Sequence, residues 1–122
     1  MPEFRFRKEE RLLKRSEFQN VLNQGEKRRI NSICTVFWIG NQFGLRRLGI
    51  IASKKIGNAP ARNRAKRKIR EVFRLNKSKF KPALDIVVIS GKGAVDLPFS
   101  ILENKISRIL QVYFLRNLFE LN

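Results

Sequence analysis

The basic side chains along one predicted helix are the residues of this sequence best suited to binding a charged partner. Between Lys54 and Lys81 the chain has twelve Lys and Arg residues, and Glu71 is the only acid among them. Arg suits bidentate contacts with phosphate, and each phosphate neutralised releases counterions, so such binding weakens with salt. An ordinary solvated helix face mixes charges of both signs, because like charges four residues apart repel. This segment therefore predicts a surface that binds nucleic acid.

The composition of the whole chain agrees and excludes several kinds of catalysis. Its 122 residues include 27 Lys and Arg and 10 Asp and Glu, which gives a net charge of +17. Repulsion among so many like charges opposes folding, but it is tolerable when a polyanion is the normal partner. With no His and one Cys, Cys34, the chain has no imidazole base, no Cys-His nucleophile and no disulfide. Glu71, Asp85, Asp96 and Glu103 are scattered among predicted elements, whereas a two-metal nuclease needs clustered carboxylates. We therefore expect no catalytic and no metal-ligating residues.

The elements that must position the cations follow from periodicity and turn residues. Ser16 is expected to cap a first helix that carries Phe18, Val21 and Leu22 on one face, and Gly25 to end it in the left-handed conformation. The order is α-β-β-β-α-β-α, an α+β fold with helices packed on a small mixed sheet. The remaining predicted elements are strands at 26–30, 33–39, 48–53 and 85–90, and helices at 60–75 and 100–119.

The helix predicted over 60–75 separates apolar and basic side chains. On a helical wheel its apolar stripe faces the core, and the opposite face carries a row of guanidinium groups. The stripe consists of Ala61, Ala65, Ile69, Val72 and Phe73. The basic side consists of Asn63, Arg67, Arg70 and Arg74, with Arg62, Arg64, Lys66 and Lys68 on its shoulders.

The last helix is predicted to begin with Ser100 in a capping box and to turn an apolar stripe to the core. A partner helix or a membrane surface is the alternative for this stripe. Its members are Ile101, Leu102, Ile106, Ile109, Val112 and Tyr113.

A second candidate site is a cleft between the first helix and the strand over 33–39. Cys34, Val36 and Trp38 share one face of that strand, while Thr35 and Phe37 share the other. A groove with an aromatic floor and a basic rim suits single-stranded nucleic acid, because bases stack on aromatic rings. The pattern alone does not separate such a groove from plain core packing.

The basic segment resembles the signature of the bacterial ribonuclease P protein component. The matching stretches are 54–59 (Lys-Lys-Ile-Gly-Asn-Ala), 62–67 (Arg-Asn-Arg-Ala-Lys-Arg) and 70–71 (Arg-Glu). The resemblance extends over nearly the whole chain through Arg11-Leu12, Glu17-Phe18-Gln19 and the strand that starts at Asp85. It implies a left-handed β-α-β crossover, in the fold class named after the second domain of a small-subunit ribosomal protein. Such crossovers are rare, and nothing else in the sequence predicts one.

The resemblance also implies a function: the protein subunit of a ribonucleoprotein endonuclease that removes the 5′ leader of precursor tRNA. The RNA subunit, with bound Mg²⁺, carries the chemistry, and the protein binds this RNA and the leader. Matched to the family's motif residue by residue, the side chains that would bind the RNA subunit are Arg62, Asn63, Arg64, Lys66, Arg67 and Arg70. By match, the residues that bind the leader are Phe18, Leu22, Cys34, Val36 and Lys54. Leu22 and Val36 stand where the family often has aromatic residues, and Pro60 replaces an aliphatic one.

The sequence is also compatible with other functions. A structural RNA-binding protein, such as a ribosomal protein, would have the same charge and size. A DNA-binding helix is disfavoured, because no helix-turn-helix spacing precedes the basic helix. No apolar run approaches the roughly 20 residues that span a bilayer, so no membrane partner is expected. We expect a single domain over 1–122, a flexible basic tail over 1–10, and a cytoplasmic location, because the chain has a lone Cys and no export signal.

Overall fold

The computed structural model describes residues 8–77 and 83–120, except for the side chains of 110 and 112–120. The α+β class and all seven predicted elements are confirmed, and three short helices are added. The strands are β1 (Glu26–Ile30), β2 (Cys34–Gly40), β3 (Arg47–Ile51) and β4 (Leu84–Ser90). The α-helices are α1 (Arg15–Gln24), α2 (Ala59–Leu75), α3 (Gly93–Asp96) and α4 (Phe99–Glu120), and the 3₁₀ helices are Lys8–Glu10 and Lys54–Ile56.

The four strands form one mixed sheet in the order β1-β2-β4-β3. The pairs β1–β2 and β2–β4 are antiparallel, while β3 and β4 are parallel. Because parallel neighbours cannot be joined by a tight turn, the chain passes from β3 through α2 to β4. The left-handed sense of this crossover stays a prediction.

The two faces of the sheet are covered by different helices. Cys34, Val36 and Trp38 on β2 belong to the main core, which includes the buried side chains of α2 and α4. On the opposite face α1 packs in a smaller cluster built on Val21 and Val87. The partly buried members of this cluster are Phe18, Leu22, Phe37, Ile39 and Ile51.

The amphipathic pattern of α2 is confirmed. Its side chains Ala65, Ile69, Val72 and Phe73 are buried, and Ala61 packs against the same core. The side chain of Asn58 caps the helix by accepting a hydrogen bond from the backbone N–H of Ala61 at 3.0 Å. Pro60 lies in the first turn, where its missing N–H has no helical partner.

The helix α1 ends before Gly25 as predicted, but the expected cap by Ser16 and the expected conformation of Gly25 are wrong. The helix begins at Arg15, with Lys14 as its N-cap residue, and Ser16 lies in the first turn. Glu17 takes the capping role, because its Oε1 accepts the backbone N–H groups of Lys14 and Leu13, each at 3.0 Å. Gly25 is extended rather than left-handed, with φ −82°. Glycine fits there because a Cβ would lie 2.6 Å from the carbonyl oxygen of Val21.

The last helix also differs from its prediction. It begins at Phe99, so Ser100 lies in its first turn and is not the capping residue. Leu102 and Ile106 are fully buried and Ile109 packs on the core, but Ile101 is 42% exposed and leaves the stripe. The side chains at 112 and 113 lie outside the described part. Within the described residues, no helix combines the length and apolarity needed to cross a bilayer.

Residues 8–10 of the tail expected over 1–10 are ordered and make contacts within the fold. Residues 8–10 form a 3₁₀ helix in which Glu10 is buried and pairs with Lys77 at 2.6 Å. Leu12 is buried too, and its N–H donates to the carbonyl of Leu48 at 3.0 Å. The segment before α1 therefore lies along the edge strand β3, and residues 1–7 lie outside the described residues.

Candidate nucleic-acid interface

The six residues expected to bind the RNA subunit lie together on the solvent side of α2. Asn63, Arg64 and Arg67 are exposed, while Arg62, Lys66 and Arg70 are half-buried. This placement follows from the burial of the apolar stripe, because a helix that buries one side must present the other. We call this surface the docking face and define it as Arg62, Asn63, Arg64, Lys66, Arg67 and Arg70.

Two other cations of the same helix have internal partners. The ammonium of Lys68 donates to the carbonyls of Val95 and Leu97, at 2.9 Å each, and so fixes α2 to α3. Arg74 bonds Glu71 one turn away, with Nε 2.9 Å from the carboxylate. The basic row drawn from the helical wheel is therefore shorter than expected, because Arg74 and Lys68 make contacts within the fold.

The docking face concentrates positive charge. Burial lowers the pKa of Arg70, and the positive charges of Arg11 and Arg67 lower it further. Arginine stays protonated at physiological pH even so, and it cannot serve as a general base there. The arrangement is suited to holding phosphate groups in place, and not to moving protons.

The five residues expected to bind the leader do not come together. Phe18 and Leu22 lie on the α1 side of the sheet, whereas Cys34 and Val36 lie in the main core on the other side. Cys34 is 3% exposed and Val36 is 0% exposed, and burial raises the pKa of the Cys34 thiol to about 12. Val36 is therefore wrong as a contact for a ligand, whereas Cys34, although nearly buried, borders the groove described below and stays a prediction. Neighbouring side chains on a strand point to opposite faces, so an error of one position moves a residue from groove to core.

The ring that sequence reasoning missed is Phe37. It shares the α1 side with Phe18 and Leu22, and it sits opposite Lys27 in the β1–β2 register. The Lys27 ammonium lies 5.8 Å from the centre of the Phe37 ring, within the range of a cation–π contact. The alternation along β2 set Phe37 apart from Val36, but only the packing of α1 shows which face has the groove.

A groove of about 480 Å³ opens beside Phe37, on the side of the sheet where α1 packs. Its rim is basic, and its floor combines an aromatic ring with aliphatic side chains. We call it the sheet groove and define it as Lys27, Arg29, Thr35, Phe37, Ile89 and Lys92. Lys54 is exposed and lies just beyond the end of β3, outside this groove.

A nearly buried ion network fixes α1 to the sheet. Arg47 donates from Nε and Nη2 to the two oxygens of Asp85, both at 2.8 Å, and from Nη1 to Glu17 at 3.0 Å. The bonds to Asp85 raise the pKa of Arg47. Since Glu17 precedes Phe18, this network helps set the ring over Gly49, where a Cβ would collide with it.

The carboxylates of the described residues are not arranged as a metal site. No three His, Cys, Asp or Glu side chains in the described ranges lie close enough to hold a metal ion. Asp85 is bound by Arg47 and Asn41, Glu17 caps α1, and Glu71 bonds an arginine. These residues do not fit a magnesium site.

Comparison with known proteins identifies the family. The sequence profile of the family described as Ribonuclease P matches residues 6–113. The ribonuclease P protein component of Geotalea uraniireducens (strain Rf4) is 40% identical over 112 residues, which cover 91% of this chain and 96% of that protein. The chain belongs to the ribonuclease P protein family. The relative from Desulfosudis oleivorans is 41% identical over 110 residues, 89% of each chain.

Solved structures of ribonuclease P proteins have the same fold. The protein from Staphylococcus aureus aligns with a TM-score of 0.75 at 35% identity and covers 85% of this chain and 94% of its own. The Thermotoga maritima protein gives 0.75 at 32% identity, over 84% and 96% of the two chains. The predicted family, fold class and function are confirmed. The chain functions as a protein subunit of ribonuclease P, the endoribonuclease that processes the 5′ end of precursor tRNA.

Replacing Arg47 with methionine should destabilise the fold by about 3 kcal/mol, because it removes one partner of a nearly buried ion pair. Among the hydrogen bonds described for Asp85, whose side chain is 6% exposed, only the one from the amide of Asn41 would remain. Urea denaturation of Arg47→Met measures the loss. Arg28→Met, at an exposed position on β1, is the matched control. Equal unfolding midpoints for the two variants would contradict a structural role for the network.

Proposed function

We propose that the docking face of α2 binds the RNA subunit of ribonuclease P. The observation that supports this proposal is that five cations lie on the solvent side of α2, while the opposite side of the helix packs in the core. The contacts of Lys68 with α3 support it, because they hold the helix in one position relative to the rest of the chain. A rigid row of guanidinium groups can meet the phosphates of a folded RNA with little loss of conformational entropy.

We further propose that the 5′ leader of precursor tRNA binds along the sheet groove. Phe37 offers a partly exposed ring, and stacking contributes about 1–3 kcal/mol per base. Lys27, Arg29 and Lys92 on the rim supply charge for the leader phosphates. We include Phe18 and Leu22 as proposed leader contacts, because they are partly buried and belong to the same cluster as Phe37, on the side of α1. Lys54, exposed beyond β3, remains a proposed contact at one end of the path.

The two surfaces suggest how a protein without its own active site assists cleavage. Holding the RNA subunit on α2 and the leader on the sheet brings catalyst and substrate together on one rigid body. The gain is one of positioning, since binding energy from the leader, remote from the cleaved bond, helps align it. The chain's own side chains bind and orient, and the RNA subunit carries out the hydrolysis.

We propose that the Mg²⁺ of the reaction is held mainly by the RNA subunit. Supporting this, the carboxylates of Asp85, Glu17 and Glu71 are bound by arginines or backbone N–H groups of the chain itself.

We also propose a cytoplasmic location, where precursor tRNA is processed. The free, buried thiol of Cys34 is compatible with a reducing compartment.

Replacing Arg67 with alanine should weaken assembly with the RNA subunit about tenfold, because a phosphate contact is lost. The slope of log Kd against log salt should fall by about 0.7–0.9 for that contact. A filter-binding titration of a bacterial ribonuclease P RNA over a range of salt concentrations measures both quantities. Arg108→Ala removes the charge of another exposed arginine, on α4, and serves as the control. If Arg67→Ala and Arg108→Ala bind alike at every salt concentration, α2 does not dock on the RNA.

Replacing Phe37 with leucine should lower holoenzyme affinity for precursor tRNA about fivefold or more, because an apolar side chain remains but the stacking ring is lost. Phe37→Tyr keeps the ring and should bind as the wild type. The readout is the ratio of affinities for tRNA with and without a leader. Val36→Ala, one residue away on the core face, should reduce stability and leave that ratio unchanged. A larger effect on the ratio from Val36→Ala than from Phe37→Leu would reverse the assignment of faces.

A further inference from the structure

A second groove, of about 220 Å³, lies between the segment before α1, the edge strand β3 and helix α2. Its floor is apolar, and three cations stand around it. We call it the edge groove. The floor includes Leu12, Phe18, Leu48, Gly49 and Ile50, and the cations are Arg11, Lys66 and Arg70.

The fold brings these cations together from distant parts of the chain. Arg11 is placed by a bridge between its backbone and Leu48 on β3, reinforced by the hydrogen bond from Leu12 to the Leu48 carbonyl. Lys66 and Arg70 lie four residues apart on α2, one turn above the other. The site is therefore set by packing of the backbone, and it exists before any ligand arrives.

The charge in the edge groove is not balanced within the described residues. No acidic side chain lines it. The nearest acids in the sequence have other partners: Glu10 pairs with Lys77, and Glu71 bonds Arg74. The pKa of Arg70 is lowered by burial and by the charges of Arg11 and Arg67, and no acid offsets these effects. An anion between the guanidinium groups would relieve this repulsion.

We propose that the edge groove binds a phosphodiester of RNA through Arg11, Lys66 and Arg70, which extends the RNA interface from α2 to the segment before α1. This inference rests on the proposed docking of α2, which already contains Lys66 and Arg70. Phe18 on the floor also belongs to the α1 cluster beside the sheet groove, so the groove joins the two proposed surfaces. The phosphate belongs either to the RNA subunit or to the leader, and the experiment separates these sources.

The test compares Arg11→Gln with wild type in two titrations: assembly with the ribonuclease P RNA, and binding of precursor tRNA to the assembled holoenzyme. Loss of one phosphate contact should weaken one of the two affinities about five- to tenfold and lower its salt slope by about 0.7–0.9. An effect on assembly assigns the phosphate to the RNA subunit. An effect only on precursor tRNA with a leader assigns it to the leader.

Two further variants make the test specific. Arg28→Gln, on β1 at the opposite edge of the sheet, removes the same charge far from the groove and should change neither affinity by more than about twofold. The double variant Arg11→Gln/Arg70→Gln should lose less than the product of the two single losses, because both side chains hold one phosphate. The free Arg11→Gln protein should melt at the wild-type temperature or above it, since that change relieves repulsion.

The outcomes separate this inference from the proposed function. If Arg11→Gln matches Arg28→Gln in both titrations while Arg67→Ala still weakens assembly, the edge groove is not a phosphate site and the docking face stands. If Arg67→Ala and Arg11→Gln both leave assembly and leader binding unchanged, the docking face is wrong as well. Independent, fully multiplicative losses in the double variant would also overturn a shared phosphate.

Discussion

The two-sidedness of the four-stranded sheet is the constraint on which the other features of this protein depend. Side chains alternate along each strand, so each strand contributes to both faces. One face is closed by α2, α3 and α4 over the main core, and the other is only partly covered by α1. Because α2 is amphipathic and connects β3 to β4, burying its apolar stripe turns its arginines to solvent. Both RNA surfaces that we propose follow from this division.

Charge is distributed in a way that complements this architecture. Most of the acidic residues whose contacts are described hold elements together. Asp85 and Glu17 join α1 to the sheet through Arg47. Glu10 joins the 3₁₀ helix before α1 to Lys77, just after the end of α2. The cations of the docking face and the edge groove have no such partners among the described contacts. Six cations, in a chain with a net charge of +17, therefore lie on the two adjoining surfaces for which we propose RNA contacts. The free protein bears the repulsion, and RNA binding relieves it.

The sequence predicted those features that depend on a single element. The α2 face could be derived residue by residue, because a seventeen-residue helix with a clear apolar stripe admits one orientation. The sheet groove could not, since whether Val36 or Phe37 faces it depends on where α1 packs, which is a tertiary fact. Local capping was misjudged for the same kind of reason: Glu17 satisfies two backbone donors before α1, and Ser16 satisfies neither. The edge groove combines Arg11 with residues more than fifty positions away, so no local pattern predicts it.

We propose that opposite faces of the sheet support two different RNA contacts, and site-directed crosslinking is the sharpest test of this arrangement. A photoreactive probe would be attached to Thr35→Cys, in the sheet groove, or to Ala59→Cys, at the exposed first residue of α2, just before the docking face. Cys34 need not be removed, because burial protects its thiol from the reagent. In the holoenzyme with bound precursor tRNA, we expect position 35 to label the leader and position 59 to label the RNA subunit. Labelling of the RNA subunit from position 35, or of the leader from position 59, would contradict it.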